Sequence, residues 1–121
     1  MWSSSTAPRE ESSPESGLVP QGQRVTDPLR ALAEAAVARE PQAVEALFQQ
    51  LGGTMLRTIR KVLGAGDPDL DDVLQESMLA VLSGLEGFRG DSTVKYFANR
   101  VALLVALGVR RRRNSRDWRS T

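Results

Sequence analysis

From Asp27 onward, apolar residues return every three or four positions in four blocks, separated by proline, glycine or short polar joints. That period puts each block on one face of an α-helix. The first block is Leu29, Leu32, Ala36 and Val37, ending near Arg39. Asp27-Pro28 opens it, with a capping carboxylate and a proline at the first helical position. Glu40-Pro41 breaks this helix and opens a second, whose stripe is Val44, Leu47, Phe48, Leu51, Met55, Ile59, Val62 and Leu63. Gly52-Gly53 interrupts the stripe at a cost of about 1 kcal/mol per glycine relative to alanine. Either a neighbouring helix packs closely there or the helix bends. Gly64 to Pro68 predicts a turn, with Gly64 and Gly66 supplying positive φ and Asp67 or Asp69 capping the next helix.

The third helix, about Leu70 to Gly84, turns Leu70, Val73, Leu74, Met78, Val81, Leu82 and then Leu85 inward. Its other face carries Asp72, Gln75, Glu76 and Leu79. Phe88 to Ser92 is a loop, with Ser92 as the expected helix cap. The last helix runs from about Thr93 to the Arg110–Arg113 cluster, where Asn114 and Ser115 end it. Its expected buried stripe is Val94, Phe97, Val101, Leu104, Val105 and Gly108, which leaves Leu103 and Leu107 outside, one turn apart.

Period-two alternation and β-branched clusters are lacking, so no strand is predicted. The fold class is all-α, a compact bundle of about four helices. Residues 1–26 are rich in Ser, Pro, Glu and Gln without an apolar period and read as a disordered N-terminal tail. Residues 27–113 form the helical domain, and 114–121 a basic tail or the start of a linker. The uncharged run Val101 to Val109 is far shorter than the ~20 residues of a membrane span, so a buried helix is expected and no membrane partner. No signal-peptide pattern opens the chain.

Composition narrows the chemistry. The chain has no cysteine and no histidine, which removes disulfides, thiolate zinc sites, cysteine nucleophiles and imidazole bases. A reducing, cytoplasmic setting fits. No pair of carboxylates is placed around a predicted pocket, so neither an enzyme nor a metal or cofactor site is expected. The net charge of +1 conceals an asymmetry: nine Lys/Arg against two Asp from Arg89 on give +7, and the preceding part, seven against thirteen, gives −6. An acidic front and a basic rear point to two partners, the second carrying phosphates.

Asp72, Gln75, Glu76 and Leu79 stand at three- and four-residue steps and so share one stripe. Two carboxylates, an amide and an exposed leucine suit docking on a basic, rod-like protein, although an ordinary solvated face has the same spacing. The Phe88 to Ser92 loop precedes a helix N-terminus, where free amides favour a phosphate or base edge. Arg89, Lys95 and Arg100 are candidates for phosphates. Tyr96, Phe97 and Asn99 are candidates for stacking or edge contacts. For Phe88 and Phe97, core packing is the favoured reading, and Ser92 is a cap before it is a DNA contact. Arg110, Arg111, Arg112 and Arg113, with Arg116 and Arg119, make a cationic end that serves phosphates or the helix dipole.

Asp72-Val73-Leu74-Gln75-Glu76, then Phe88-Arg89-Gly90-Asp91-Ser92, then an aromatic-bearing helix ending in arginines resembles region 2 of the bacterial sigma-70 family, especially its extracytoplasmic-function branch. The resemblance covers about Ala43 to Arg113. It implies that Asp72, Gln75, Glu76 and Leu79 dock on the clamp helices of the largest subunit of core RNA polymerase. It also implies that Arg89, Ser92, Lys95, Tyr96, Asn99, Arg100 and Arg110–Arg113 meet the promoter −10 element, melted to single-stranded DNA with a base flipped into a pocket near Phe88 to Ser92.

Three features depart from the family pattern. Phe97 stands where tryptophan is usual, Leu103-Leu104 where polar residues, often Arg-Asn, are usual, and Gly108 where an acidic residue is common. An exposed pair Leu103 and Leu107 marks a protein partner, such as an anti-sigma factor, a missing domain or a second copy. The chain also stops just after Trp118, with no helix-turn-helix domain for the −35 element. It is either an excised fragment or a sigma-like protein that never contacts that element. The leading expectation is a transcription-initiation module. The alternatives are a sigma-like adaptor or decoy that docks without melting DNA, and a generic bundle whose basic tail binds nucleic acid nonspecifically.

Overall fold

Four helices form in the predicted order: α1 Arg30–Val37, α2 Pro41–Leu63, α3 Leu70–Leu85 and α4 Val94–Ser120. The computed structural model describes residues 27–120, with side chains through Arg116. The tail predicted at 1–26 lies outside the described residues.

α2 is the hub and touches all three other helices. Pro41 sits in its first turn, where a fixed φ costs nothing and the missing N–H has no intrahelical partner to lose. Leu47, Leu51, Met55 and Ile59 recur every four residues along it and are fully buried. The glycine pair inside this stripe does not break the helix. Gly52 faces α3 so closely that a Cβ would stand 3.1 Å from Met78 Cε, whereas Gly53 is open. Close packing, not a bend, accounts for Gly52. α2 ends at Gly64, whose φ of 100° L-residues rarely adopt and whose N–H bonds the Arg60 carbonyl at 2.7 Å. Gly66 does not take the positive φ expected of it; one left-handed residue is enough to stop the helix.

α1 starts two residues later than its proline suggests. Asp27 Oδ1 accepts the Leu29 N–H at 3.1 Å and makes a turn before the helix. α1 buries Ala33 and Ala36. Arg39, at φ 67°, then reverses the chain into α2. α3 buries Val73, Val81, Leu82 and Leu85, while Leu70, Leu74 and Met78 are only half-buried. Ser77, which was not among the expected inward residues, is fully buried and satisfies itself by donating to the Val73 carbonyl at 2.8 Å.

The largest correction concerns α4. Its fully buried stripe is Val94, Ala98, Ala102 and Ala106, one residue round from the expected set. Phe97, Val101, Val105 and Gly108 are half-buried, and Leu104 faces out at 56% exposure. Apolar size ranks residues by what burial gains, but α4 lies directly against α2. A tight helix–helix contact selects the small face over the greasy one, because methyl groups let the axes approach. Nor does α4 stop at Arg113, since it continues to Ser120. Asn114 and Ser115 cost a helix only about 0.5 kcal/mol each, and neither glycine nor proline follows Gly108.

Candidate functional site

α3 presents Asp72, Gln75, Glu76 and Leu79 to solvent along one row, with Leu79 58% exposed. They face out because Val73, Ser77 and Val81, one turn apart, face in. Asp71 and Asp72 lie in the first turn, where carboxylates also complement the helix dipole.

The α3–α4 loop is built on aromatic packing. Phe88 and Phe97 stack with centroids 5.2 Å apart and planes at 42°, and Gly84 lets Phe97 in, since a Cβ there would stand 2.7 Å from its Cζ. Both rings pack against the core. Gly84, Gly87, Phe88, Arg89, Asp91, Ser92 and Phe97 line an open cleft of about 390 Å³. That falls in the range of ligand clefts, about 300–1,000 Å³. Arg89 is exposed at its edge, whereas Ser92 is buried and donates to the Thr93 carbonyl at 3.2 Å.

The N-terminus of α4 is not the open anion site expected of it. Thr93, not Ser92, caps it: Thr93 Oγ1 accepts the Tyr96 N–H at 3.0 Å. The Val94 N–H goes to Asp27 Oδ2 at 2.7 Å, across 67 residues of sequence. Carboxylate and hydroxyl already hold amides that a phosphate would need.

Beyond the cap, Lys95, Tyr96 and Arg100 are exposed and Asn99 is half-buried. Asn99 Oδ1 is buried with no hydrogen-bond partner among the described residues. With Thr58 of α2, Tyr96, Asn99, Arg100 and Leu103 line a second cleft of about 230 Å³. The outward leucines are Leu103, 38% exposed, and Leu104, so Leu107, half-buried, is not the partner expected of Leu103.

Arg110, Arg111 and Arg112 are exposed, but Arg113 is engaged. It bonds Asp67 through Nη1 at 2.5 Å and Nη2 at 3.2 Å, and Asp69 through Nη2 at 2.7 Å. This ties the far end of α4 to the α2–α3 turn. The Asp67 side chain is only 8% exposed. Hydrogen bonds from the Arg113 guanidinium, then from the Asp69 backbone, hold its carboxyl below the usual carboxylate range, and the same bond raises Arg113. A depressed carboxyl stabilises the fold above its unfolded value, near pH ~3.9, and loses that contribution as pH falls through the folded value. The melting temperature of wild type should therefore drop faster on acidification below about pH 4 than that of Asp67→Asn, which lacks the titrating group. Parallel curves would remove Asp67 from the acid response.

Asp27, Thr58, Asp67 and Asp69 thus join the site unannounced. Asp27, Asp67 and Asp69 carried a signal only as caps of the helices that follow them, and Thr58 carried none.

Two surfaces are now in place, an acidic row on α3 and a cationic, partly apolar face running from the loop along α4. A protein-family scan matches Sigma-70 region 2 over residues 47–116, more than half the chain. The chain belongs to the sigma-70 region 2 family. Comparisons with curated proteins and with solved structures returned no match. Region 2 domains are non-enzymatic transcription-factor domains that, in general, bind RNA polymerase and recognise the promoter −10 element. The matched segment contains α3, the Phe88–Ser92 loop and α4 through Arg116. Among the described residues no helix is long and apolar enough to cross a membrane.

Proposed function

We propose that this sigma-70 region 2 domain, of the extracytoplasmic-function type, docks core RNA polymerase through Asp72, Gln75, Glu76 and Leu79 and takes the −10 element as unpaired DNA on its loop and α4. The partner for α3 is the pair of clamp helices in the largest polymerase subunit. The observation that carries the reading is the separation of the two surfaces: the acidic row is exposed on α3, while Arg89, Tyr96 and Arg100 are exposed at the two clefts and Lys95 is exposed in the first turn of α4. Arg110, Arg111 and Arg112 extend the cationic track for phosphates. Arg113 and Ser92 hold the fold together beside it.

Selection from a random single-stranded DNA pool tests the strand half. The reading expects one enriched motif, bound at least about tenfold better than its scrambled version at fixed salt. Equal affinity would leave electrostatics alone and sink it. Asn99 gives a sharper expectation. Its unpaired buried oxygen costs about 1–3 kcal/mol, so Asn99→Leu should raise the melting temperature while weakening the enriched strand. A variant that is destabilised, with strand affinity intact, would place Asn99 among structural residues.

The exposed Leu103 and Leu104 favour a second reading, a sigma-like adaptor or anti-sigma target that docks without melting DNA. Under it, the random pool yields no motif while polymerase binding persists.

A further inference from the structure

The loop and the first turn of α4 are held by a segment that precedes the family-matched residues 47–116. Asp27 Oδ2 accepts the Val94 N–H, and its Oδ1 accepts the Leu29 N–H, so one carboxylate joins the start of α1 to the start of α4. Arg30, at the first position of α1, lays its guanidinium over the Phe88 ring, 5.7 Å from the centroid. The same guanidinium fills the space where a Cβ on Gly90 would be, and Gly90 itself sits at φ 81°. Gly90 therefore has two reasons to be glycine, one in its backbone and one in Arg30. A line of contacts runs Arg30, Phe88, Phe97, Gly84, and the last three line the 390 Å³ cleft.

Arg30 does not have the character of a phosphate contact. Its Nε already bonds Glu34 Oε2 at 3.2 Å, and its guanidinium carbon stands over an aromatic ring in a cation–π contact. Asp27, being anionic, keeps a phosphate away from the amide it holds.

We infer that Asp27 and Arg30 are positioning residues for the promoter strand, fixing the Phe88–Ser92 loop and the α4 N-terminus in the shape that accepts an unpaired base without touching DNA themselves. This rests on the reading that the loop and α4 bind unpaired DNA. α1 is then part of the strand-binding apparatus, acting through Phe88 on a cleft whose own lining comes from the end of α3, the loop and the first turn of α4.

The test uses the full chain, the strand enriched from the random pool and its scrambled version, each titrated by fluorescence anisotropy at several salt concentrations. Arg30→Ala should lower the ratio of enriched to scrambled affinity about tenfold and leave the salt slope and core polymerase affinity unchanged. Arg30→Lys keeps the charge but not the planar face, and should recover less than half of the lost ratio. Asp27→Ala should act in the same direction. If it fails to fold by circular dichroism, the two Arg30 variants, at a partly exposed side chain, decide alone. A ratio unchanged in Arg30→Ala overturns the inference. So does a salt slope that falls by about 0.7 with the ratio intact, the mark of a direct single-strand phosphate contact. A wild-type chain with no preference overturns the strand-binding reading and this inference together, which separates that failure from the other two.

Discussion

Replacing Asp72 and Glu76 together by arginine is expected to lower the affinity for core RNA polymerase at least about 100-fold, while the bundle melts within a few degrees of wild type. Both carboxylates are exposed on the outer row of α3, and among the described residues the fold uses neither in an ion pair. The stability cost is confined to the first turn of α3, where a cation in place of Asp72 opposes the helix dipole by about 0.3–1 kcal/mol. At a docking surface the same change places like charges face to face, which costs several kcal/mol. Leu79→Ala, which removes the apolar anchor at the C-terminal end of the row, should weaken binding further without altering its salt dependence. Glu45→Arg, exposed on α2 and away from this row, is the control that should bind normally. The measurement is a pull-down or surface-binding titration with core enzyme. Undiminished capture of polymerase by the double variant would remove the initiation module and the adaptor alike, because both dock through α3.

Leu51→Ala should be the most damaging single truncation in the core, costing about 2–5 kcal/mol. For a domain of this size that is a fall in melting temperature of roughly 10–30 °C. Leu51 is fully buried midway along α2, which contacts each of the three other helices. Its neighbour Gly52 has no side chain, and Met78 already stands against that glycine. A cavity at Leu51 therefore opens next to a close helix contact, where the backbone has little room to collapse. A thermal or urea melt gives the number. A loss below about 1 kcal/mol would mean that the bundle relaxes around the gap, contrary to a close-packed α2 hub.

The helices were legible because each is amphipathic over several turns and bounded by residues with one dominant backbone preference. Pro41 starts α2 and Gly64 ends it; neither depends on what packs nearby. The outer row of α3 was legible for the same reason, since two carboxylates and a glutamine leave only one face for Val73 and Val81 to bury. α4 was harder. It has apolar residues all round between Val101 and Val109, so period alone cannot choose a face, and the preference for bulky side chains chose Leu104 where α2 required Ala98, Ala102 and Ala106.

The candidate site divides along the same line. Tyr96, Arg100 and Lys95 stand exposed as their helical positions suggested. Asp27, by contrast, looked like the cap of its own helix and also caps another, and Arg113 looked like part of a free cationic cluster and is bound to Asp67 and Asp69. Both contacts cross more than forty residues of sequence. Hydrophobic period, proline and glycine act over a few residues, so helix number, order and outward charge follow from the order of amino acids alone. Which face of α4 is buried, which carboxylate holds which helix end, and which arginine is left for DNA depend on how closely separate helices approach. That distance exists only once the bundle has packed.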